Sequence, residues 1–104
     1  MRRNKFNAKR TLVDGILFHS AKEARRYGEL KLLERAGIIR NLELQQQFPI
    51  YINGTKCFTY IADFAYFEAD KRVTEDVKGQ RTQIYRLKKK CVEAYYPGLK
   101  IVEI

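Results

Sequence analysis

The chain has 104 residues, of which 45% are hydrophobic and 12% aromatic, so it is expected to fold as one small domain over residues 1–104 rather than remain disordered. Lys and Arg together number 21 against 12 Asp and Glu, and the net charge of +9 favours a phosphate-bearing partner over a merely soluble basic surface. No segment is apolar enough for a membrane span or resembles a signal peptide, which predicts no membrane partner. The cysteines Cys57 and Cys91 lie far apart without a C-x-x-C pattern, which favours a reduced, cytoplasmic setting.

The first predicted elements are a hairpin and a helix. Residues 9–18 contain two short apolar runs around Asp14-Gly15, a pair typical of the type I′ turn of a β-hairpin. A helix is then predicted over 20–36, because Ser20 and Glu23 match a capping box and Gly37 follows the last turn.

The second half of the chain predicts a meander of three strands, then a helix and a final strand. Pro49 lies inside the first of these strands, which favours an edge position or a bulge, and Asn53-Gly54 forms the turn that follows. The result is an α/β domain with a mixed sheet. The predicted ranges are 42–52, 56–67 and 72–78 for the strands, 82–95 for the helix and 99–104 for the last strand.

The helix over 82–95 carries an apolar stripe that we expect to face the sheet. Its members recur at helical spacing, and Lys88 lies among them, either extending its amine to solvent or reaching a site. The stripe consists of Ile84, Leu87, Cys91 and Ala94 or Tyr95.

Basic residues cluster in two segments that contain no acid. Five occupy the basic arm 1–10, and six lie between 78 and 90. Clusters of this kind are expected to grip the phosphates of DNA without reading its sequence. The predicted nucleic-acid-binding residues are Arg2, Arg3, Lys5, Lys9, Arg10, Arg81, Arg86, Lys88, Lys89 and Lys90.

Acidic residues in the second and third predicted strands form the candidate site. If these strands pair, period-two alternation places Asp63 and Asp76 on one side of the sheet together with Lys78, and Glu75 points away as a bystander. Two neighbouring carboxylates repel each other unless a cation or a proton lies between them, and a divalent ion with oxygen ligands is one solution. Lys78 either stabilises charge on a phosphate or forms a cross-strand salt bridge.

Glu23 has two candidate roles. It is the capping-box partner of Ser20, and it also begins the helix stripe Glu23, Tyr27 and Leu30 that should face the sheet. A carboxylate that points inward needs a partner, so Glu23 caps its own helix, joins the site, or does both.

This pattern resembles the PD-(D/E)XK nuclease superfamily. Its core is a helix, a three-stranded meander, a helix and a strand, and it carries an Asp on the second strand and D/E-x-K on the third. Asp63, Asp76-Val77-Lys78 and Glu23 occupy the corresponding places from about residue 20 to the end. The segments LELQQQF, TYIADFAYF and EDVKG further resemble a small phage-encoded family of that superfamily. A looser likeness extends to Holliday junction resolvases and to nuclease subunits of heteromeric transposases.

The resemblance implies a restriction-endonuclease-like core over 20–104, preceded by the hairpin, and a role for each matched residue. Asp63, Asp76 and the Val77 carbonyl would bind Mg²⁺ or Mn²⁺, and Glu23 would complete the metal shell. Lys78 would orient the attacking water, and Gln45 corresponds to a glutamine near the site in relatives. The proline that often precedes the first Asp is replaced here by Ala62.

The leading hypothesis is therefore a Mg²⁺-dependent deoxyribonuclease that hydrolyses phosphodiester bonds. The lack of a separate specificity domain favours structure-selective cutting of branched or flapped DNA. A homodimer is a candidate assembly, because each chain has one site and cleavage of a duplex requires two. The alternative is a phage protein that binds nucleic acid without cutting it. A zinc site and an HNH nuclease are disfavoured because the chain contains only two Cys and the single His19.

Overall fold

The computed structural model describes residues 10–104, which form six strands and two helices. The fold is mixed α/β, and the order of elements matches the predicted order. Most of the basic arm lies outside the described residues, as do Arg2, Arg3, Lys5 and Lys9. The elements are β1 (Thr11–Val13), β2 (Ile16–Phe18), α1 (Ala21–Arg35), β3 (Ile39–Ile52), β4 (Thr55–Glu68), β5 (Lys71–Asp76), α2 (Gln83–Tyr95) and β6 (Ile101–Glu103).

Both predicted hairpin turns are confirmed by their backbone angles. Asp14 and Gly15 have φ values of 52° and 74°, and Asn53 and Gly54 have values of 49° and 82°. Two consecutive positive φ angles are the requirement of a type I′ turn, whose twist matches that of the flanking strands. Local turn chemistry therefore fixes the β1–β2 and β3–β4 connections.

Helix α1 begins and ends as its sequence predicts. The Ser20 hydroxyl accepts a hydrogen bond of 3.1 Å from the backbone N–H of Glu23. At the other end Gly37 has a φ of 79°, and the N–H groups of Gly37 and Ile38 donate to the carbonyls of Glu34 and Leu33. This pair of bonds is a Schellman motif, which satisfies carbonyls that the helix leaves free.

The main sheet is mixed, with the strand order β3-β4-β5-β6. The pairs β3–β4 and β4–β5 are antiparallel, whereas β5 and β6 run parallel. Strand β3 lies at the edge of the sheet, which confirms the position that Pro49 predicted, and the register shifts next to it between Ile50 and Tyr51.

Two hydrophobic clusters stabilise the fold, one under each helix. The first lies against α1, and the second lies against α2 and β6. Strand β4 supplies aromatic residues to both, so it couples the two halves of the core. The first cluster contains Phe18, Ala24, Tyr27, Leu30, Ile39, Phe64 and Tyr66, and the second contains Ile50, Tyr60, Ala62, Tyr85, Val92 and Ile101.

The middle of strand β4 contributes residues to both hydrophobic clusters. Ala62 and Phe64 are two residues apart and would share one face of a flat strand, yet they pack in different clusters. Opposite the intervening Asp63 lies Gln45, whose φ of 58° departs from strand geometry. Asp63 therefore lies between Ala62 of one cluster and Phe64 of the other.

The buried face of α2 differs from the prediction. Ile84 and Leu87 are 61% and 58% exposed, whereas Tyr85 and Val92 are buried. Both sets recur at helical spacing, so periodicity alone does not separate them. The Tyr85 hydroxyl donates a hydrogen bond of 2.8 Å to Glu103 of β6. This bond gives the buried hydroxyl a partner, so the Tyr85 side can face the sheet. No helix described over residues 10–104 is long and apolar enough to cross a membrane.

Candidate active site

Asp63 and Asp76 face each other where the pairing of β4 and β5 ends. The last paired residues are Phe64 and Glu75, and beyond them each carboxylate accepts from the backbone of the other strand. The Asp63 N–H donates to Oδ1 of Asp76 over 3.1 Å, and the Val77 N–H donates to Oδ2 of Asp63 over 2.8 Å. These bonds continue the strand contact and hold the two acids together.

The convergence of the two aspartates matches the expectation from strand alternation, but the placement of Lys78 requires a correction. Strand β5 ends at Asp76 and not at residue 78. The N–H of Val77 binds the Asp63 side chain instead of a backbone carbonyl of β4. The pairing of β4 and β5 therefore does not continue to Val77. Lys78 still lies close enough that its charge lowers the pKa of both carboxyls.

Burial dominates the electrostatics of the pair. It raises the pKa of Asp63 to about 6, opposed by the Val77 N–H and reinforced by repulsion from Glu23. It likewise raises the pKa of Asp76 to about 6, opposed by the Tyr60 hydroxyl and Lys78 and reinforced by Asp63. Neighbouring carboxylates in a desolvated position favour either shared protons or a bound cation.

Glu23 lies on the buried face of α1, as its position in the helix stripe predicted. Only 6% of the residue is exposed, and its backbone N–H is the group that binds Ser20. Its carboxyl is near enough to raise the pKa of Asp63. Glu23 therefore contributes to the helix start through its backbone and to the candidate site through its side chain.

Tyr60 is a member of the site that the sequence did not suggest. It is buried, and its hydroxyl donates a hydrogen bond to Oδ2 of Asp76. Its ring centroid lies 6.5 Å from that of Tyr85, and the Tyr85 ring in turn lies 4.6 Å from Nζ of Lys78. Tyr60 is two residues from the buried Ala62 on the same strand, so alternation along β4 predicts that Tyr60 is buried. Alternation does not identify the partner of its hydroxyl.

Gln45 does not point into the core, although it was predicted as a catalytic residue. It is exposed and has a positive φ. Its neighbour Gln46 lies on the inward side, and its Oε1 atom is buried without a hydrogen-bond partner within the described residues. An unsatisfied buried acceptor is costly. The alternation of Leu44, Gln46 and Phe48 would have selected Gln46 from the sequence.

Glu75 points away from Asp76, as expected, but it is more than a bystander. It is 1% exposed and accepts two hydrogen bonds from the Arg26 guanidinium, at 2.9 and 2.7 Å. The Tyr66 hydroxyl also donates to it. This buried ion pair joins α1 to β5 directly behind the candidate site.

The donor set suits a hard divalent cation only in part. Among residues 10–104, no three His, Cys, Asp or Glu side chains lie close enough together to hold a metal ion. Asp63 and Asp76 offer two carboxylates, and Mg²⁺ is commonly held by one or two carboxylates with water completing its shell. The residues present therefore fit Mg²⁺ or Mn²⁺ better than an ion that needs a full protein cage.

The predicted nucleic-acid-binding residues within 10–104 differ in exposure and in their contacts. Arg10, Arg86 and Lys90 are exposed. Arg81 and Lys89 pair with Glu103 at 2.8 and 3.7 Å. Lys88 lies over the ring of Phe58, 5.6 Å from its centroid.

The raised pKa values of the two aspartates predict a pH-dependent stability. Between pH 5 and 7 the folded protein binds protons that the unfolded chain has released, because both pKa values lie near 6 rather than 3.8. The free energy of unfolding in a chelating buffer should therefore fall as the pH rises through this window. Urea denaturation at several pH values measures it. Asp76→Asn should show a shallower dependence, and an unchanged slope would contradict the assignment.

Comparison with known proteins identifies a family without an assigned activity. The family model described as "Protein of unknown function (DUF1064)" matches residues 3–104. No curated protein and no solved structure matches the chain. Since the match covers nearly the whole sequence, the chain belongs to the DUF1064 family.

Proposed function

We propose that the protein is a metal-dependent endonuclease that hydrolyses DNA phosphodiester bonds. The observation that carries this proposal is the convergence of Asp63 and Asp76 at the end of the β4–β5 pairing. Burial raises the pKa of both carboxyls to about 6, and the charge of Lys78 acts on both. Strongly shifted carboxylates with a specific charge neighbour are a recognised mark of functional sites. Burial of such a pair reduces stability, and this cost is understandable if the pair binds a cation.

The topology supports the same proposal. Helix α1, strands β3 to β5, helix α2 and strand β6 follow the order of a restriction-endonuclease-like core. In that arrangement the second and third strands of the meander carry the acidic residues. Asp63 on β4 and Asp76 on β5 satisfy this requirement, with Glu23 on the preceding helix.

Each side chain of the site has a chemical task under this proposal. Asp63 and Asp76 would hold Mg²⁺, with the Val77 carbonyl and water as further ligands and Glu23 adding negative charge nearby. The bound ion would supply Lewis-acid stabilisation of charge on the scissile phosphate. The Lys78 ammonium would orient the attacking water or stabilise the developing charge. Tyr60 would hold Asp76 in position through its hydrogen bond.

The surrounding cations would supply affinity rather than sequence selectivity. Arg10, Arg86 and Lys90 are exposed and would contact phosphates, which positions DNA without reading bases. We accordingly propose that the enzyme selects branched or flapped DNA by shape and acts in the cytoplasm. A homodimer would supply the second site needed to cut both strands.

A second function from another class is a nucleic-acid-binding protein without catalysis. It is favoured by the absence of a three-acid group among residues 10–104. It is also consistent with the structural use of both carboxylates, since each accepts a backbone N–H from the opposite strand. In that case the acids would serve to end the β4–β5 ladder.

A cleavage panel separates the two functions. The purified protein is incubated with plasmid, single-stranded and four-way-junction DNA in Mg²⁺, in Mn²⁺ and in chelator. Hydrolysis should require the divalent ion and should be fastest on the branched substrate. Binding without cleavage of any substrate, in either ion, would exclude the nuclease and leave the binding protein.

A further inference from the structure

A second charged site lies on the outer side of α2, separate from the aspartate pair. It is an open pocket with a volume of about 380 Å³ between this helix and β6. Four of its lining side chains are cationic and two are carboxylates, so the lining has a net positive charge. The residues are Arg81, Arg86, Lys89, Lys90, Glu93 and Glu103.

The two carboxylates of the pocket are already engaged. Glu93 accepts a hydrogen bond of 2.7 Å from the Ile101 N–H, which fixes it to β6. Glu103 accepts from Arg81 over 2.8 Å and lies 3.7 Å from Nζ of Lys89. The contacts of Glu103 neutralise Arg81 and Lys89 but not Arg86 and Lys90.

The other two cations of the pocket form no ion pair with any residue that the structure describes. Arg86 and Lys90 are one helical turn apart on α2 and are both exposed. Neither forms an ion pair within residues 10–104. Residues at i and i+4 lie on the same side of a helix, so both charges are available to a single anion at the pocket.

We propose that this pocket binds a phosphate group of a nucleic-acid backbone, with Arg86 and Lys90 as its contacts. An arginine fork and a lysine ammonium are the usual donors to phosphate oxygens. Glu103 acts as the competing anion, because it neutralises Arg81 and Lys89 at the same pocket. The inference rests on the proposed function only in that the partner is a nucleic acid, and it does not require cleavage.

One side chain connects this pocket to the candidate active site. The Tyr85 hydroxyl donates to Oε2 of Glu103 over 2.8 Å. The ring of the same residue lies 4.6 Å from Nζ of Lys78 and packs near Tyr60. Because Tyr85 contacts both Glu103 of the pocket and Lys78 of the candidate site, a strand bound at the pocket would lie next to that site.

The test is the binding of a fluorescently labelled 5′-hydroxyl oligonucleotide in chelator, measured by anisotropy over a range of salt concentrations. The double variant R86A/K90A should bind about tenfold more weakly, and the slope of log K against log salt should fall by about two. The matched control is R25A/K56A, which also removes one exposed arginine and one exposed lysine. An equal loss in both variants would overturn the proposal.

Glu103→Gln separates a binding role from a structural one. The amide keeps an acceptor for Tyr85 but removes the competing charge, so binding should tighten by about three- to tenfold. Unchanged or weaker binding would contradict the role of Glu103. A preference for 5′-phosphorylated over 5′-hydroxyl oligonucleotide, lost in R86A/K90A, would assign the pocket to a terminal phosphate and overturn the backbone assignment. These binding measurements are made in chelator, which prevents cleavage. They therefore test the pocket even if the protein proves not to be a nuclease.

Discussion

Replacement of Arg26 with alanine is expected to lower the free energy of unfolding by about 3–5 kcal/mol. The Arg26 guanidinium binds both oxygens of Glu75, and that carboxylate is 1% exposed. The variant would leave a charge in the core, with the Tyr66 hydroxyl as its remaining hydrogen-bond donor among residues 10–104. Urea denaturation of the wild type and the variant at one pH measures the loss.

The neighbouring Arg25 supplies the matched control for this prediction. It is exposed on the same helix, so Arg25→Ala should change the free energy of unfolding by less than about 0.5 kcal/mol. The double variant R26A/E75Q should recover part of the loss, because it removes the unpaired charge. A loss below about 1 kcal/mol in R26A would show that the buried pair does not stabilise the α1–β5 contact.

Replacement of Asp76 with asparagine is expected to reduce the rate of DNA cleavage by about 10³-fold or more. The amide retains an oxygen that can accept from Tyr60 or from the Asp63 N–H, but it loses the negative charge that would hold the cation. The folded state should not suffer, because the substitution removes a buried carboxyl whose charged form is disfavoured by burial and by the neighbouring Asp63. The free energy of unfolding in chelator should therefore be unchanged or higher.

Those parts of the fold that depend on neighbouring residues could be predicted from the sequence. Asp14-Gly15 and Asn53-Gly54 set their turns through positive φ angles, and Ser20 and Gly37 set the two ends of α1. Each of these turns and helix ends depends only on residues a few positions apart, so the local sequence is sufficient to predict it. The order of elements followed from them.

The parts that depend on contacts between distant elements were harder to predict. Helix α2 has two faces with similar spacing, and the Glu103 partner of Tyr85, which favours burial of that face, lies 18 residues away. The direction of Gln45 and Gln46 depends on an irregularity opposite Asp63. Glu75 was predicted to be a bystander because its partner Arg26 lies 49 residues away in the sequence.

The candidate site shows the same division. Alternation along β4 and β5 predicted that Asp63 and Asp76 converge, because each position depends on the parity of its own strand. It misplaced the end of β5, because the Val77 N–H binds the Asp63 side chain and the strand ends at Asp76. Tyr60 was missed because a tyrosine in a hydrophobic strand is indistinguishable from a core residue until its hydroxyl partner is known.

The most direct test of the central claim is the single-turnover rate of DNA cleavage in Mg²⁺ by wild type, D76N and D70N. Asp70 is fully exposed in the β4–β5 turn, so D70N is matched in charge but distant from the site. We expect wild type and D70N to cut at similar rates, and D76N to remain folded and be slower by about 10³-fold or more. Equal rates for folded D76N and wild type would show that the aspartate pair is not the catalytic site.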